Sequence, residues 1–292
     1  MGISILSGIM SSLEAPSAST PGEELPARLP SKFIACVRRP VSAKRIQTEL
    51  AAYSSSLTTL VNDNIPGLQQ ADVVLLGCKP YMLRDVLTAP GVKDALAGKL
   101  LMSILAGVTQ EQISETLYGA TPPPDPCQIV RVMPSTASFV RESMTVIATS
   151  TPPLPSASLA LVVWIFSRIG KIVQLPAGNM DAGTALCGSG PAFMFLVLES
   201  LADGGVAMGL PRAEAQIMAA QTMRGAAALV QNGEHPAVLR DKVCTPGGCT
   251  IGGLLVLEEG RVRGSMSRAV REATVVASQL GKGVQNVNGT RF

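Results

Sequence analysis

Between Lys32 and Ala177 short apolar runs alternate with helix-like segments, and this rhythm limits the first half of the chain to one class of fold. The runs are KFIACVRR, LTTLVND, ADVVLLGCKP, KLLMSILAG, CQIVRVMPS, MTVIATS and KIVQLPA, each closed off by Gly, Pro, Asp or charge. Between them lie VSAKRIQTELAAY, where Ile46 and Leu50 fall at helical spacing, then MLRDVLTAPGVKDALAG and TQEQISETLYG. Short apolar runs separated by helices mean crossover units and a parallel sheet covered on both faces. After Asn179 strand signals stop, and helices are expected over 191–209, 211–232, 235–243 and 262–281. The reading is an α/β, doubly wound Rossmann-like domain over 1–178 and an all-helical domain over 179–292.

Residues 1–10 carry the apolar face of a short helix. Residues 11–30 are rich in Pro, Ser and acids without periodicity, so a flexible surface loop is expected there. A doubly wound sheet should open with a strand and a Gly-rich turn that brings backbone N–H groups to a pyrophosphate. No GxGxxG stands in residues 1–178, and the chain starts at the helix MGISILSGIM, so the first strand is expected to be missing from the sheet.

Composition narrows the partners. Of 292 residues 47% are hydrophobic and 15% charged, with a net charge of +3, which leaves no basic stripe for nucleic acid. Such apolarity points to surface buried between copies, hence a homodimer or larger assembly. Six scattered cysteines and a single histidine, His235, give neither a disulfide framework nor a metal set, and reduced thiols point to the cytoplasm. The apolar window Pro191–Leu210 is broken by Glu199 and Asp203, so a buried helix is expected rather than a membrane span. The start has no basic n-region or small-residue cleavage site of a secretory signal.

Ligands collect at the carboxyl ends of the strands of such a sheet. The second expected strand ends in Arg38 and Arg39 with no acid, which favours the 2′-phosphate of NADP over NAD. Lys79-Pro80 and Met133-Pro134-Ser135 close two further strands where a nicotinamide would reach. In the helical half, VCTPGGCTIGGL at 243–254 concentrates bare backbone between two thiols. A metal clip fails for want of ligands, leaving a disulfide or an anion-binding loop.

ALCGSGPAFMFLVLESLADGGVAMGLPR and HPAVLRDKVCTPGGCTIGGLLVLEEG together resemble pyrroline-5-carboxylate reductase, the last enzyme of proline synthesis. GSGPA, LADGG, GLPR and TPGGCT occur in that family's order and spacing, and ADVVLLGCKP, LAGVT and VRVMPST match its nucleotide domain. The resemblance spans the chain except 11–30 and the tail after Gly283. It departs at Ser135 and Ala137, where the family has Asn and Pro, and at Cys244 and Cys249, where Ser or Thr is common. The family opens with a strand and Gly-rich turn ending in Met-Gly, so the resemblance implies that only Gly2 of that turn is present.

The resemblance implies that the loop 244–250 holds pyrroline-5-carboxylate through Thr245, Gly247, Gly248 and Thr250. Glycine backbone can approach a carboxylate closely, and a helix starting at Thr250 favours negative charge. Thr250 and Ser189 are the candidate catalytic hydroxyls beside the imine nitrogen, and Cys244 and Cys249 are packing residues. The implied cofactor is NADPH, with NADH as the alternative, held by Gly2, Arg38, Arg39, Lys79, Pro80, Met133 and Ser135. The family's helical domains interlock in dimers. Two other readings stand beside reductase activity: a broader imine reductase, and a non-catalytic dimeric remnant, because the phosphate turn is missing. The chain as it begins at Met1 is expected to be close to inactive, and an upstream strand to restore it.

Overall fold

A computed structural model describes residues 1–14, 25–281 and 284. The apolar runs become strands at the expected places. Helix α1 (Gly2–Glu14) is followed by β1 (Phe33–Val37), α2 (Pro40–Glu49), β2 (Leu57–Val61), α3 (Ile65–Gln70) and β3 (Val73–Leu76). The long segment after β3 breaks into α4 (Leu83–Leu87) and α5 (Val92–Ala95), because Ala89-Pro90-Gly91 interrupts it and Gly91 turns at φ 83°. Then come β4 (Leu100–Ser103), α6 (Gln110–Tyr118), β5 (Gln128–Met133), β6 (Ser143–Thr149), α7 (Ser156–Ser167) and β7 (Gly170–Pro176). Starts follow local chemistry. Pro40 occupies the first turn of α2, and Thr109 and Gln112 cap α6 reciprocally, at 3.2 and 2.8 Å. The expected loop at 11–30 begins later than foreseen, since α1 runs on to Glu14, and residues 15–24 lie outside the described ones.

The strands form two sheets rather than one. β1 pairs with β2, while β3, β4, β5, β6 and β7 are neighbours in that order. Pairing is parallel within β1–β2, with Phe33 opposite Leu57, and through β3–β4–β5, with Leu75 opposite Met102 and Met102 opposite Val130. The expectation of a parallel sheet throughout is corrected at β5–β6, which is antiparallel. Only a short 3₁₀ turn, Thr136–Val140, joins them, too short for a crossover, whereas α7 carries the chain over to a parallel β7. One face of the larger sheet packs Met102, Val130 and Val132 against Ile5, Ile9 and the α7 residues Trp164 and Phe166. The other packs Leu101 and Ile129 against Val92, Ile113 and Leu117.

A helical stretch runs from Ala177 to Ala207. It comprises α8 (Met180–Gly183), a π-helical turn (Thr184–Ser189) and α9 (Gly190–Ala207). Pro191 has no N–H to continue the ladder, and the widened turn precedes it. The chain divides into two compact units, Met1–Gly188 with residues from Ala273 onward, and Ser189–Glu272. The division therefore lies inside this helical stretch, past the expected Gly178 boundary.

The second unit holds α9, α10 (Arg212–Gln231), α11 (Pro236–Val243), α12 (Cys249–Glu259) and most of α13 (Val262–Gly281). Among the described residues its one buried cluster is Ala202, Ala215 and Ala219, where α9 meets α10. The expectation of a buried helix over 191–210 is corrected accordingly: among the described residues α9 buries Ala202 alone. By length and composition the helix 177–207 could cross a membrane, with 11% of that window buried. In the first unit, the last turn of α13 lies on the turn after β4. A Cβ on Gly107 (φ 75°) would lie 2.6 Å from the Ala277 carbonyl, and Gln112 Nε2 donates to the Gly281 carbonyl at 2.6 Å.

Candidate functional site

The nucleotide-facing candidates sit at strand ends of the first unit. Arg38 and Arg39 follow β1 directly, both exposed, and no ion pair among the described residues engages either. Arg39 is the N-cap residue of α2, so both cations precede a helix start. Lys79 is exposed after β3, and Pro80 opens a short 3₁₀ turn. Met133 ends β5 and is buried, its thioether 3.9 Å from where a Cβ on Gly188 would lie.

Ser135 is buried as well. Its N–H donates to Ser143 Oγ at 2.9 Å and its hydroxyl lies 3.4 Å from the same oxygen. Its role as a direct ligand is thereby weakened, because hydroxyl and N–H are both turned inward. Gly2 is exposed at the start of α1 with open space where a Cβ would stand. Two residues later Ser4 Oγ reaches Ser138 Oγ at 2.9 Å, which ties α1 to the turn after β5.

The loop at 244–250 lies in the second unit. α11 ends at Val243, Gly247 turns at φ 70°, and Gly248 N–H donates back to the Thr245 carbonyl at 3.0 Å. The left-handed turn needs glycine at 247, and a side chain on Gly248 would run into Thr245 Oγ1. Gly248 is then the N-cap of α12, and no side chain caps it. The first N–H groups of that helix, from Cys249, Thr250 and Ile251, are left without intrahelical acceptors, so the positive end of the helix dipole is open. Thr250 is half-buried in its first turn. Beside the loop Cys244, Ile251, Leu254 and Leu255 wall a groove of about 320 Å³. Cys244 and Cys249 are both free thiols, which removes the disulfide reading. His235 caps α11, its Nδ1 accepting from Ala237 N–H at 3.2 Å. Ser189 is half-buried at the head of α9, last in the π turn.

One residue escaped sequence reasoning. Arg131 stands mid-β5, its side chain 7% exposed, with Nε and Nη2 lacking hydrogen-bond partners. Asp181 Oδ1 on α8 is 3.9 Å away. Burial pushes the guanidinium below its ordinary value, with Asp181 and Glu111 pulling the other way. The signal was in plain view as the one charge inside IVRVM.

Comparison with known proteins decides the family. A model for pyrroline-5-carboxylate reductase dimerisation matches residues 177–280, and one for a coenzyme F420-dependent NADP oxidoreductase matches residues 9–107. The pyrroline-5-carboxylate reductase of Lophium arboricola is 64% identical over 300 residues, covering 100% of this chain and 94% of its own. The chain belongs to the pyrroline-5-carboxylate reductase family. The Neurospora crassa reductase is 55% identical over 100% of this chain and 93% of its own. Among solved structures, the Coxiella burnetii pyrroline-5-carboxylate reductase has a TM-score of 0.76 at 27% identity, with 95% of each chain covered. The Plasmodium falciparum pyrroline carboxylate reductase, solved with NADP bound, has a TM-score of 0.74 at 25% identity, covering 87% of this chain and 100% of that one.

The expected Rossmann-like domain followed by a helical dimerisation domain is therefore this reductase's fold. Self-association through the second unit explains why α9 buries so little within its own chain.

Proposed function

We propose that this chain reduces 1-pyrroline-5-carboxylate to L-proline with NADPH, the last step of proline biosynthesis, and that it does so in the cytoplasm. The observation that carries the substrate is the turn Thr245–Gly248 leading into the uncapped start of α12. Three free N–H groups and the helix dipole suit a compact carboxylate, and glycine at 247 and 248 lets the anion approach. Thr250 adds a hydroxyl to that cradle. A reducing location is supported by six free cysteines.

The cofactor expected of this family fits the residues at the β1 end. Arg38 and Arg39 are exposed, without an ion pair among the described residues, and placed before a helix start, an arrangement that suits a 2′-phosphate. Lys79 and Pro80 flank the end of β3, and Gly2 lies where α1 can turn its dipole toward a phosphate. Met133 and Ser135 shape the floor from within. When bound, the nicotinamide supplies the hydride that the ring C=N carbon accepts.

The chain's own groups position the ring and handle one proton. As the carbon gains hydride, the imine nitrogen gains a proton, and Thr250 and Ser189 are the hydroxyls assigned to pass it from water. Cys244 and Cys249 are assigned no covalent part, since hydride transfer needs no nucleophile and no histidine lines the groove beside Cys244.

The test is NADPH-dependent formation of L-proline from pyrroline-5-carboxylate by the chain, alone and carrying an apolar amino-terminal strand. Proline in neither form overturns the assignment. Thr250→Val is expected to raise the KM for the imine about tenfold, from loss of one hydrogen bond to a charged group, with cofactor KM unchanged.

A further inference from the structure

Arg131 is a cation that the sheet does not need for packing. It alternates with Ile129 and Met133 along one face of β5, and its register partner on β4, Ser103, is fully buried. Leu101 and Ile129 show what that face otherwise carries. Taking a guanidinium out of water is expensive, and a carboxylate partner does little more than offset the cost, so such a pair adds little net stability. What a charge pair adds, and an apolar contact lacks, is direction.

Its partner stands on the helical segment that follows β7. Asp181 belongs to α8, and its Oδ1 lies 3.9 Å from Arg131 Nη2. Nε and Nη2 make no hydrogen bond, and the carboxylates acting on the cation are Asp181 first and Glu111 of α6 second. Around this pair the same segment rests on the strand ends through apolar contacts. Met180 packs with Met133, Val146 and Ala148. A Cβ on Gly183 would lie 3.1 Å from Val146 Cγ2, and one on Gly188 would lie 3.9 Å from Met133 Sδ. Inside the segment, the Thr184 hydroxyl donates to the Met180 carbonyl at 2.7 Å. The apolar contacts press the segment down but leave it free to slide and rotate. The charge pair selects one position.

We propose that Arg131 is a positioning residue for hydride transfer: through Asp181 it fixes α8 and the π-helical turn on the end of β5, and with them Met133 and Ser189. Met133 shapes the nicotinamide floor and meets the turn at Gly188, and Ser189 closes the turn. The role in turnover rests on the proposed reductase chemistry, whereas the seating of the segment does not. A displacement of about 1 Å, remote from the reacting atoms, can cost about a hundredfold in rate.

The experiment compares the unmodified protein with Asp181→Asn, Asp181→Glu and the double variant Arg131→Met with Asp181→Leu. Turnover is measured in whichever form, bare or extended, makes proline. Without cofactor, backbone hydrogen exchange in 181–188 should be about tenfold faster in Asp181→Asn, which keeps the shape and loses the charge. Asp181→Glu keeps the charge with one more methylene to span the gap, and its exchange should stay near that of the unmodified protein. Asp181→Asn should lose about ten- to a hundredfold in kcat with both KM values within about twofold, while Asp181→Glu keeps most of its turnover. The double variant fills the space with apolar groups and should match the unmodified thermal midpoint without recovering kcat. Unchanged exchange in Asp181→Asn overturns the proposal. So does a kcat that returns with the midpoint in the double variant, which reduces the pair to stability alone. Equal losses in the Asn and Glu variants overturn it too, since shape rather than charge then decides. No proline from the unmodified protein removes the reductase reading and leaves the exchange comparison to decide the seating.

Discussion

The first unit encloses its own large apolar side chains, such as Phe166, Leu101 and Ile147, while the second buries three alanines and leaves Phe195, Leu196, Ile217 and Val256 more than half exposed. Both are rich in apolar residues, so composition alone cannot separate them. The difference lies in where the covering atoms come from. A sheet flanked by helices closes over its own side chains, whereas a few long helices apolar on most sides have too few neighbours within one chain. The second unit therefore depends on another copy for its core. Its folding is then tied to protein concentration, while that of the first is an intramolecular matter.

The largest effect should come from charging the second unit. The chain is expected to be a dimer or larger by light scattering, and Phe195→Glu with Ile217→Glu should weaken assembly about a hundredfold or more, since unpaired charge is then buried. A well-folded monomer at micromolar concentration would erase the contrast between the units. At the first unit, Arg38→Ser with Arg39→Ser should raise the KM for NADPH roughly ten- to a hundredfold, as for lost charged hydrogen bonds, with NADH little changed and assembly untouched. Equal losses with the two cofactors would reduce the pair to a basic strand end.

The smallest effect probes the self-sufficient core. Tyr118 is buried, its oxygen accepts from Cys127 N–H at 2.9 Å, and burial pushes its phenol up to about 12 from 10. Below pH 10 the phenol is neutral in both states and contributes no slope. Between pH 10 and about 12 the unfolded chain releases the proton while the folded one keeps it, so stability falls as pH rises through that window. Tyr118→Phe should be slightly less stable at pH 7 and should lose this alkaline decline in urea titrations.

Strand and helix positions were legible because each is a local matter of period and punctuation: FIACV, VVLL and IVRVM announce themselves. TPGGCT was legible as a tight turn, because glycine at that density has few other uses and Gly247 does turn left-handed. Pairing was less legible. The antiparallel turn from β5 to β6 depends on whether Thr136–Val140 forms a crossover or a short turn, and the apolar runs on either side read alike in both cases. The exposure of α9 was hidden for a related reason, since apolarity states that a helix will be covered and not by which chain. Ser135 and Arg131 show the limit at side-chain scale. Whether a hydroxyl points to a ligand or to Ser143, and whether a guanidinium in a strand finds a carboxylate, is fixed by tertiary neighbours.

The meeting of Gly107 with Gly281 has a consequence for how this sequence can change over generations. At each position an added methyl group would strike the other's backbone, so neither residue relieves the constraint on its partner by changing first. Most contacting pairs can trade a large side chain for a small one in compensating steps; here there is no side chain to trade. The pair is epistatically locked. Descendants of this sequence that keep the last turn of α13 against the β4 turn should keep both glycines, and those that lose one should have lost the contact altogether.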